Sequence, residues 1–216
     1  GKDGWLGVGW PKEYGGRAMS AIEQYIFAEE IQRTGFPLPF LTINSVAPTI
    51  MRFGTDEQKK RFLPKIQAGE MLIAIGYSEP EASTDLASLK TRAVRDGSEW
   101  VINGQKTFTS LADHSDYVWL AARTNPTAAN HRGISLFLVP LDAPGLEVTP
   151  VADFTGSPEM LEGRVKTLHP RIHGGLLYRR GHAGDEAEVV AHGLDAIVLL
   201  AGNLYPFVET VTRACG

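Results

Sequence analysis

Polar groups that can contact a ligand lie together in the loop at residues 77–85, directly after the apolar run at residues 71–75. Pro80 fixes one backbone dihedral angle, so we expect an ordered loop at the end of a strand. Hydroxyls and backbone N–H groups of such a loop can hydrogen-bond to a ligand. The residues that offer them are Ser78, Ser83, Thr84 and Asp85. Hydroxyls also cap turns, so the loop alone leaves both interpretations open.

Two dipeptides after this loop predict tight reversals between strands. Asp96-Gly97 and Asn103-Gly104 lie among residues rich in Val, Ile, Trp, Thr and Phe, which is typical of β-hairpins. Two further runs of strand length follow, at residues 116–123 and 133–139. The sequence therefore predicts a β-meander beside the polar loop.

The region before residue 71 predicts helices. Ser20 with Glu23 has the spacing of a capping box, in which two side chains satisfy the first backbone N–H groups of a helix. This helix should end at Gly35. A second apolar helix is expected at residues 41–53.

The third predicted helix begins at another capping box, Thr55 with Gln58. It should reach residue 67 and stop at Gly69, with Pro64 kinking or shortening it. Helices followed by strands predict an α+β fold, in which a helical layer packs on an antiparallel sheet or barrel.

The loop and the run NGQKTFTS at residues 103–110 resemble the flavin-contacting segments of the acyl-CoA dehydrogenases, and the resemblance extends from about Trp5 to about Pro150. It implies FAD as cofactor, an acyl-CoA thioester as substrate and an electron-transfer acceptor as partner. The cofactor-binding residues that it implies are Tyr77, Ser78, Ser83, Thr84, Phe108 and Ser110.

The resemblance implies separate roles for the loop hydroxyls and for the side chains of the following strand. Ser78 and Thr84 would hydrogen-bond polar atoms of the flavin or their surroundings, and donors there stabilise the charge that the flavin gains on reduction. Phe108 and Ser110 would line the ring and exclude water. The other interpretation of Phe108 is a core residue on a strand.

The loop departs from the family pattern at one position. Where the family usually carries glycine, this chain has Ser83. The difference matters if the backbone there needs a positive φ or approaches the cofactor closely. We then expect weaker cofactor binding than the motif implies.

No catalytic base is nominated. The mechanism implied by the resemblance pairs a glutamate base, which removes an α-proton from the acyl thioester, with hydride transfer from the β-carbon to the flavin. The family carries that glutamate on a C-terminal helical domain, which we expect this chain to lack, so catalysis should be impaired. Glu79 and Glu81 are carboxylates of the loop that lie close to the implied site, and we expect them to be solvated loop charges.

The sequence changes in character after residue 151. DFTGSPEMLEGRVKTLHPRIHGGLL at residues 153–177 and NLYPF at residues 203–207 resemble the IMP cyclohydrolase domain of the bifunctional purine-biosynthesis enzyme. The resemblance covers about residues 152–213. It implies catalytic roles for Lys166 and Tyr205, whose ammonium and hydroxyl would stabilise and orient the reacting formamido group.

The same resemblance implies that Arg164 and Thr167 bind the substrate nucleotide. The alternative interpretation is a solvated pair of Lys166 and Arg164. His169 and His173 have a spacing that would share a helix face, but Pro170 lies between them and an HExxH glutamate is missing. No metal site is predicted.

Charge, hydropathy and cysteine content bear on the partners and the cellular setting of the chain. The formal net charge of -4 gives no electrostatic footprint for nucleic acid. No apolar run approaches the roughly 20 residues of a membrane span. Cys215 is the single cysteine, so no internal disulfide forms, and a reducing, cytoplasmic setting is expected. Because the chain opens at Gly1 within a motif, we expect it to be a fragment.

Together these patterns predict an α+β fold in three parts. Residues 1–70 would form a helical acyl-CoA dehydrogenase-like part, residues 71–150 a partial β flavin-contacting domain, and residues 151–216 a small α/β segment like IMP cyclohydrolase. The expected function is FAD-linked α,β-dehydrogenation of an acyl-CoA thioester. The alternatives are a purine cyclohydrolase fragment or a non-catalytic chimera. Incompletely covered strands predict a homo-oligomer or an aggregation-prone chain.

Overall fold

A computed structural model describes residues 1–83 and 85–151 and, beyond them, the backbone of strands at residues 162–173, 175–179, 188–192 and 197–200. The chain forms two compact units. The first comprises residues 1–74 and 114–116, and the second comprises residues 75–113 and 117–216.

Helices make up most of the first unit. Helix α1 spans Ala21–Arg33, a π-helical turn spans Thr42–Val46, α2 spans Ala47–Phe53 and α3 spans Asp56–Ala68. A short 3-10 helix at Lys12–Tyr14 precedes them.

Helix α1 begins at the predicted capping box. The backbone N–H of Glu23 donates to Ser20 Oγ at 3.4 Å, and Ser20 N–H donates to Glu23 Oε2 at 2.7 Å. The chain leaves the helix before Gly35, whose φ is 69°. No residue of α1 is buried, so the helix presents apolar side chains to solvent. The most exposed of these are Ile22, Tyr25 and Ile26.

The second predicted helix forms with a π-helical turn in its first part. The N–H of Ala47 bonds to Thr42 O, five residues back, and α2 then continues to Phe53. Pro48 has no N–H and therefore donates no helical bond, which accounts for the irregular turn just before it.

Helix α3 also begins as predicted, because Thr55 and Gln58 form a complete capping box. The sequence predicts that Pro64 kinks or shortens this helix, and the shortening is wrong: α3 continues to Ala68 and ends at Gly69, whose φ is 76°. Leu63 and Phe62 are buried on this helix, and their burial stabilises the turn that lacks one backbone hydrogen bond. The apolar core of this unit contains Ile43, Val46, Ile50, Phe62, Leu63 and Ile66.

A mixed sheet follows. Its strands are β1 Ile73–Gly76, β2 Arg92–Asp96, β3 Glu99–Ser110, β4 Tyr117–Arg123, β5 Ile134–Pro140, β6 Leu146–Val151, β7 Glu162–His173, β8 Gly175–Arg179, β9 Glu188–His192 and β10 Ile197–Leu200. The order is β6-β7-β3-β2-β4-β5-β10-β8-β9, with β1 beside β4. Helices followed by a sheet confirm the α+β fold. The antiparallel meander is not confirmed, because β2 pairs in parallel with β4 and β10 pairs in parallel with β8.

Strands β4 and β5 form an antiparallel pair where the two apolar runs predicted strands, with Tyr117 opposite Pro140. The reversal at Asp96-Gly97 is also confirmed, since Asp96 lies opposite Glu99 and Gly97 has a φ of 63°. A Cβ at Gly97 would meet nothing within 4 Å.

The second predicted reversal, at Asn103-Gly104, is wrong. Strand β3 runs straight through these residues. A Cβ at Gly104 would lie 2.3 Å from Thr91 Oγ1 and 2.7 Å from Thr91 Cα. Glycine is therefore required here by the close approach of a neighbouring segment, and no turn is involved.

The described residues beyond 151 all lie in strands, and β7 pairs with both β3 and β6. His169 and His173 lie in β7, so the helical spacing considered for them does not apply. Among the described residues, no group of three metal-ligating side chains occurs. In the same part of the chain, no helix is long and apolar enough to cross a membrane.

Candidate functional site

The polar loop begins where β1 ends and closes on itself. Ser83 N–H donates to Glu79 O at 2.7 Å, and Glu79 N–H donates to Ser83 O at 3.3 Å. These two bonds form an isolated antiparallel bridge. Ser83 has a φ of 51°, in the left-handed region that L-residues rarely adopt. The concern about a positive φ at this position is therefore justified.

After Ser83, the chain continues into a short helical turn. Asp85 N–H donates to Ala82 O at 3.0 Å, and Asp85 Oδ1 accepts from Ala87 N–H at 3.1 Å. Asp85 thus caps the 3-10 helix at Leu86–Ser88. The remaining loop residue of the prediction, Thr84, lies outside the described residues.

A buried ion pair holds the start of the loop. Lys106 Nζ donates to Glu79 Oε1 at 2.8 Å and to Tyr77 O at 3.1 Å. The side chains of Lys106 and Glu79 are 1% and 5% exposed. The expectation that Glu79 is a solvated charge is wrong. Glu81 does lie at the surface, where it pairs with Lys90.

Glu79 also holds the segment that follows the loop. Its Oε2 accepts from Lys90 N–H at 2.6 Å, and its Oε1 accepts from Thr91 N–H at 2.9 Å. Both carboxylate oxygens are therefore occupied. Glu79 is unavailable as a catalytic base without breaking these bonds.

Burial shifts the pKa values of both Lys106 and Glu79, but other contacts oppose it. Burial lowers the pKa of Lys106 to about 8, against the opposing attraction of Glu79. Burial alone would raise the pKa of Glu79, but the hydrogen bonds from Lys106, Thr91 and Lys90 outweigh it and lower that pKa. At neutral pH the pair is therefore charged.

Backbone contacts fix the loop against β3. Thr107 N–H donates to Ser78 O at 3.0 Å, one residue beyond the Lys106 contact with Tyr77. Trp119 Nε1–H donates to the Tyr77 hydroxyl at 3.0 Å. Burial raises the pKa of Tyr77, so its hydroxyl stays neutral. Tyr77 and Ser78 are thus held in place by contacts from β3 and β4.

The strand next to Ser78 carries a β-bulge. The register between β3 and β7 shifts between Lys106 and Thr109, and Phe108 has a φ of 54°. The bulge turns the Phe108 ring outward, where the residue is 56% exposed. The interpretation of Phe108 as a core residue is therefore wrong.

Two more residues extend this exposed surface. Ser110 is exposed, and Leu111 has a φ of 61° and is 40% exposed. The sequence pattern gave no sign of Leu111. An aromatic ring, an apolar side chain and a hydroxyl beside an anchored polar loop can receive a flat ligand with polar edges.

Three residues of the purine-enzyme resemblance lie on one strand. Arg164, Lys166 and Thr167 occupy β7, opposite Thr149, Gln105 and Gly104 respectively. Tyr205 lies outside the described residues.

Two family matches account for most of the chain. Residues 1–70 match the acyl-CoA dehydrogenase N-terminal domain, and residues 74–165 match the acyl-CoA dehydrogenase middle domain. Over these residues the chain belongs to the acyl-CoA dehydrogenase family. Members of this family depend on FAD. The resemblance to IMP cyclohydrolase finds no support in these matches.

Named relatives agree with this assignment. Acyl-CoA dehydrogenase FadE26 of Mycobacterium tuberculosis is 60% identical over 159 residues, which are 72% of this chain and 40% of that protein. The crystal structure of the ChsE4-ChsE5 complex from the same organism gives a TM-score of 0.75 at 55% identity and covers 80% of this chain and 44% of that chain.

A third relative is a structure titled Tcur3481-Tcur3483 steroid ACAD. It has a TM-score of 0.76 and 53% identity, covering 79% of this chain and 44% of that chain. This chain thus spans less than half of the length of each relative.

Proposed function

We propose that the chain binds FAD at the anchored loop and the β3 bulge, as part of an enzyme for α,β-dehydrogenation of an acyl-CoA thioester. The observation that carries this proposal is the hydrogen bond from Thr107 N–H to Ser78 O, at 3.0 Å. It joins the loop to the strand at the position just before the exposed ring of Phe108. Family membership supports the cofactor.

The described residues fit a flavin. Phe108 offers an exposed aromatic face, which packs well on a flat ring. Ser78 and Ser110 offer hydroxyls and backbone groups for the polar edge, and Tyr77 and Ser83 set the path of the loop. Thr84 belongs to the same loop, and its role at the flavin is proposed from the resemblance alone. Bound FAD would supply the oxidant for the acyl thioester, and the chain's own groups would position it and exclude water.

The first test is FAD binding. We expect the purified chain to bind FAD, with a rise in melting temperature that grows with FAD concentration. Phe108→Ala should weaken binding by about 1 kcal/mol, roughly fivefold in Kd. Val94→Ala is the matched control, because Val94 is also an exposed apolar residue of the sheet, at 61% exposure. Equal Kd values for the two variants would place the flavin elsewhere.

We propose a steroid-linked acyl-CoA thioester as the substrate class, supported by the steroid ACAD relative at 53% identity. A CoA thioester carrying a steroid nucleus should bind to the FAD-loaded chain more tightly than a straight-chain acyl-CoA with the same number of carbon atoms. Calorimetric titration of both thioesters measures the difference. Tighter binding of the straight chain would count against the steroid assignment. An electron-transfer acceptor is proposed as partner by resemblance.

Association with a second copy is proposed through α1. Ile22 and Tyr25 are 73% and 69% exposed, which is unusual for large apolar side chains on a monomer surface. Ile22→Lys with Ile26→Lys should shift sedimentation toward the monomer, whereas Gln32→Lys on the same helix should not. A parent chain that sediments as a monomer at all concentrations would contradict the proposal.

The purine cyclohydrolase alternative rests on the motifs at residues 153–177 and 203–207 alone. Under this alternative, Lys166 and Tyr205 act on the formamido group, and Arg164 and Thr167 bind the nucleotide. A rise in melting temperature with IMP and none with FAD would favour it. A non-catalytic chimera predicts neither rise. The cytoplasmic location also stays a prediction.

A further inference from the structure

The buried ion pair shares Glu79 with the hydrogen bonds of a strained residue of the loop. Ser83 has a φ of 51°, which is unfavourable for an L-residue. Its N–H and C=O both bond to the backbone of Glu79. The side chain of that same Glu79 is held by Lys106 at 2.8 Å. The strained backbone and the buried charges are therefore connected through one residue.

We propose that Lys106 and Glu79 are positioning residues, which keep the loop at Ser83 in its left-handed conformation and thereby set its shape for the flavin. This inference rests on the proposed function and deepens it. We assign the ion pair no contact with substrate or cofactor. It acts through the backbone of the loop.

Hydrogen bonds at both ends of the loop support this role. Lys106 Nζ holds Tyr77 O where the loop begins, at 3.1 Å. Glu79 holds Lys90 N–H and Thr91 N–H beyond its end, at 2.6 Å and 2.9 Å. A single ion pair thus fixes the start of the loop and the segment that follows it. Strained conformations persist where surrounding contacts over-determine them.

A nearby pair provides a matched comparison. Lys90 and Glu81 also pair at this loop, but their side chains are 71% and 70% exposed. Exposed ion pairs contribute little, whereas breaking a buried pair is costly. Removing each pair with the same substitutions separates the buried pair from a general effect of charge.

The test compares Lys106→Met with Glu79→Gln, made together, against Lys90→Met with Glu81→Gln. Amide hydrogen exchange is measured without FAD, and the Kd for FAD is measured separately. In the first variant we expect exchange at least roughly tenfold faster at four amides of this region. Two of them, Lys90 and Thr91, donate to the Glu79 carboxylate. The other two, Ser83 and Thr107, donate to backbone oxygens of the loop that the pair positions. Amides of β4 should stay protected, and FAD affinity should fall roughly tenfold. The second variant should match the parent.

Rescue distinguishes positioning from a general structural role. Adding Ser83→Gly to the first variant should restore most of the FAD affinity, because glycine adopts a positive φ without support from Glu79. A pair that only stabilised the sheet would give no such rescue. If β4 also loses protection, the variant has unfolded, and Glu79→Gln alone, which keeps the shape of the side chain, takes its place.

Two results would overturn the proposal: parent-like exchange at the Ser83 amide in the first variant, or no recovery of FAD affinity with Ser83→Gly. Failure of the proposed function looks different. In that case the parent binds no FAD, while the exchange rates still decide whether the pair holds the loop.

Discussion

Ser83 and Glu79 exchange both of their backbone hydrogen bonds, at 2.7 Å and 3.3 Å, and Ser83 is held at a φ of 51°. A serine in this conformation costs about 1–2 kcal/mol. Glycine avoids that cost but loses about 0.5–1 kcal/mol of chain entropy on folding. Ser83→Gly should therefore increase the free energy of unfolding by about 0.5–1 kcal/mol, measured by urea denaturation.

Ser98→Gly is the matched control for this substitution. Ser98 is exposed in the turn between β2 and β3, and it is not among the residues with positive φ. Glycine there should leave stability unchanged or lower it slightly. A loss of stability on Ser83→Gly would contradict the argument from strain.

The close approach of Thr91 to Gly104 can be tested by substitution. A Cβ at this position would lie 2.3 Å from Thr91 Oγ1 and 2.7 Å from Thr91 Cα, so the backbone itself must shift. Gly104→Ala should lower the free energy of unfolding by roughly 2 kcal/mol or more. Chemical denaturation measures the change.

Gly97→Ala is the contrasting variant, because it has open space but a φ of 63°. Its cost should be about 1 kcal/mol. Thr91→Ala with Gly104→Ala should recover only part of the loss, since a backbone atom remains in the way. Equal costs at the two glycines would mean that the sheet accommodates a Cβ at Gly104.

Much of the fold follows from local sequence signals. Capping boxes predicted the starts of α1 and α3, and apolar runs predicted β4 and β5, because these features depend on neighbouring residues. The strand order depends on distant pairings that a single sequence does not display. Gly104 illustrates the difference: its dipeptide is typical of a turn, yet Thr91 from another segment determines its role.

In the candidate site, too, some features follow from local sequence signals and others do not. Alternation along β3 places Lys106 on the same face as Ile102, which is fully buried. A buried lysine needs an anionic partner, so the pattern contained a signal for the ion pair with Glu79. The same alternation predicts a buried Phe108, but the bulge reverses its direction. Single-sequence patterns do not reveal a bulge.

The capping box of α3 offers a stability test in the first unit. Thr55 Oγ1 accepts from Gln58 N–H at 3.3 Å, and Gln58 Oε1 accepts from Thr55 N–H at 2.9 Å. Thr55→Ala removes one of these bonds and should cost about 1 kcal/mol in the free energy of unfolding. Thermal and urea denaturation should agree on the loss.

Thr49→Ala is the control for the cap. Thr49 Oγ1 bonds to Ser45 O within the same helical segment, at 2.7 Å, and such back-bonding does not stabilise a helix. Its removal should change stability by less than about 0.5 kcal/mol. Similar losses for both threonines would show that the cap has no special role.

The buried lysine predicts a pH dependence with a definite sign. Its pKa is about 8 in the folded chain, against the ordinary value of 10.5 that applies when unfolded. Between these values the unfolded chain binds more protons than the folded chain at this residue. The contribution of Lys106 to the free energy of unfolding therefore rises as the pH increases through this window, and falls as the pH drops toward the folded pKa.

Urea denaturation at pH 7.5 and pH 9.5 measures this contribution. We expect the parent to gain on the order of 1–2 kcal/mol relative to Lys106→Met with Glu79→Gln between these two pH values. The exposed-pair variant, Lys90→Met with Glu81→Gln, retains Lys106 and should gain as much as the parent. An equal change in all three proteins would assign the pH dependence to other groups, and the opposite sign would mean that attraction to Glu79 outweighs burial.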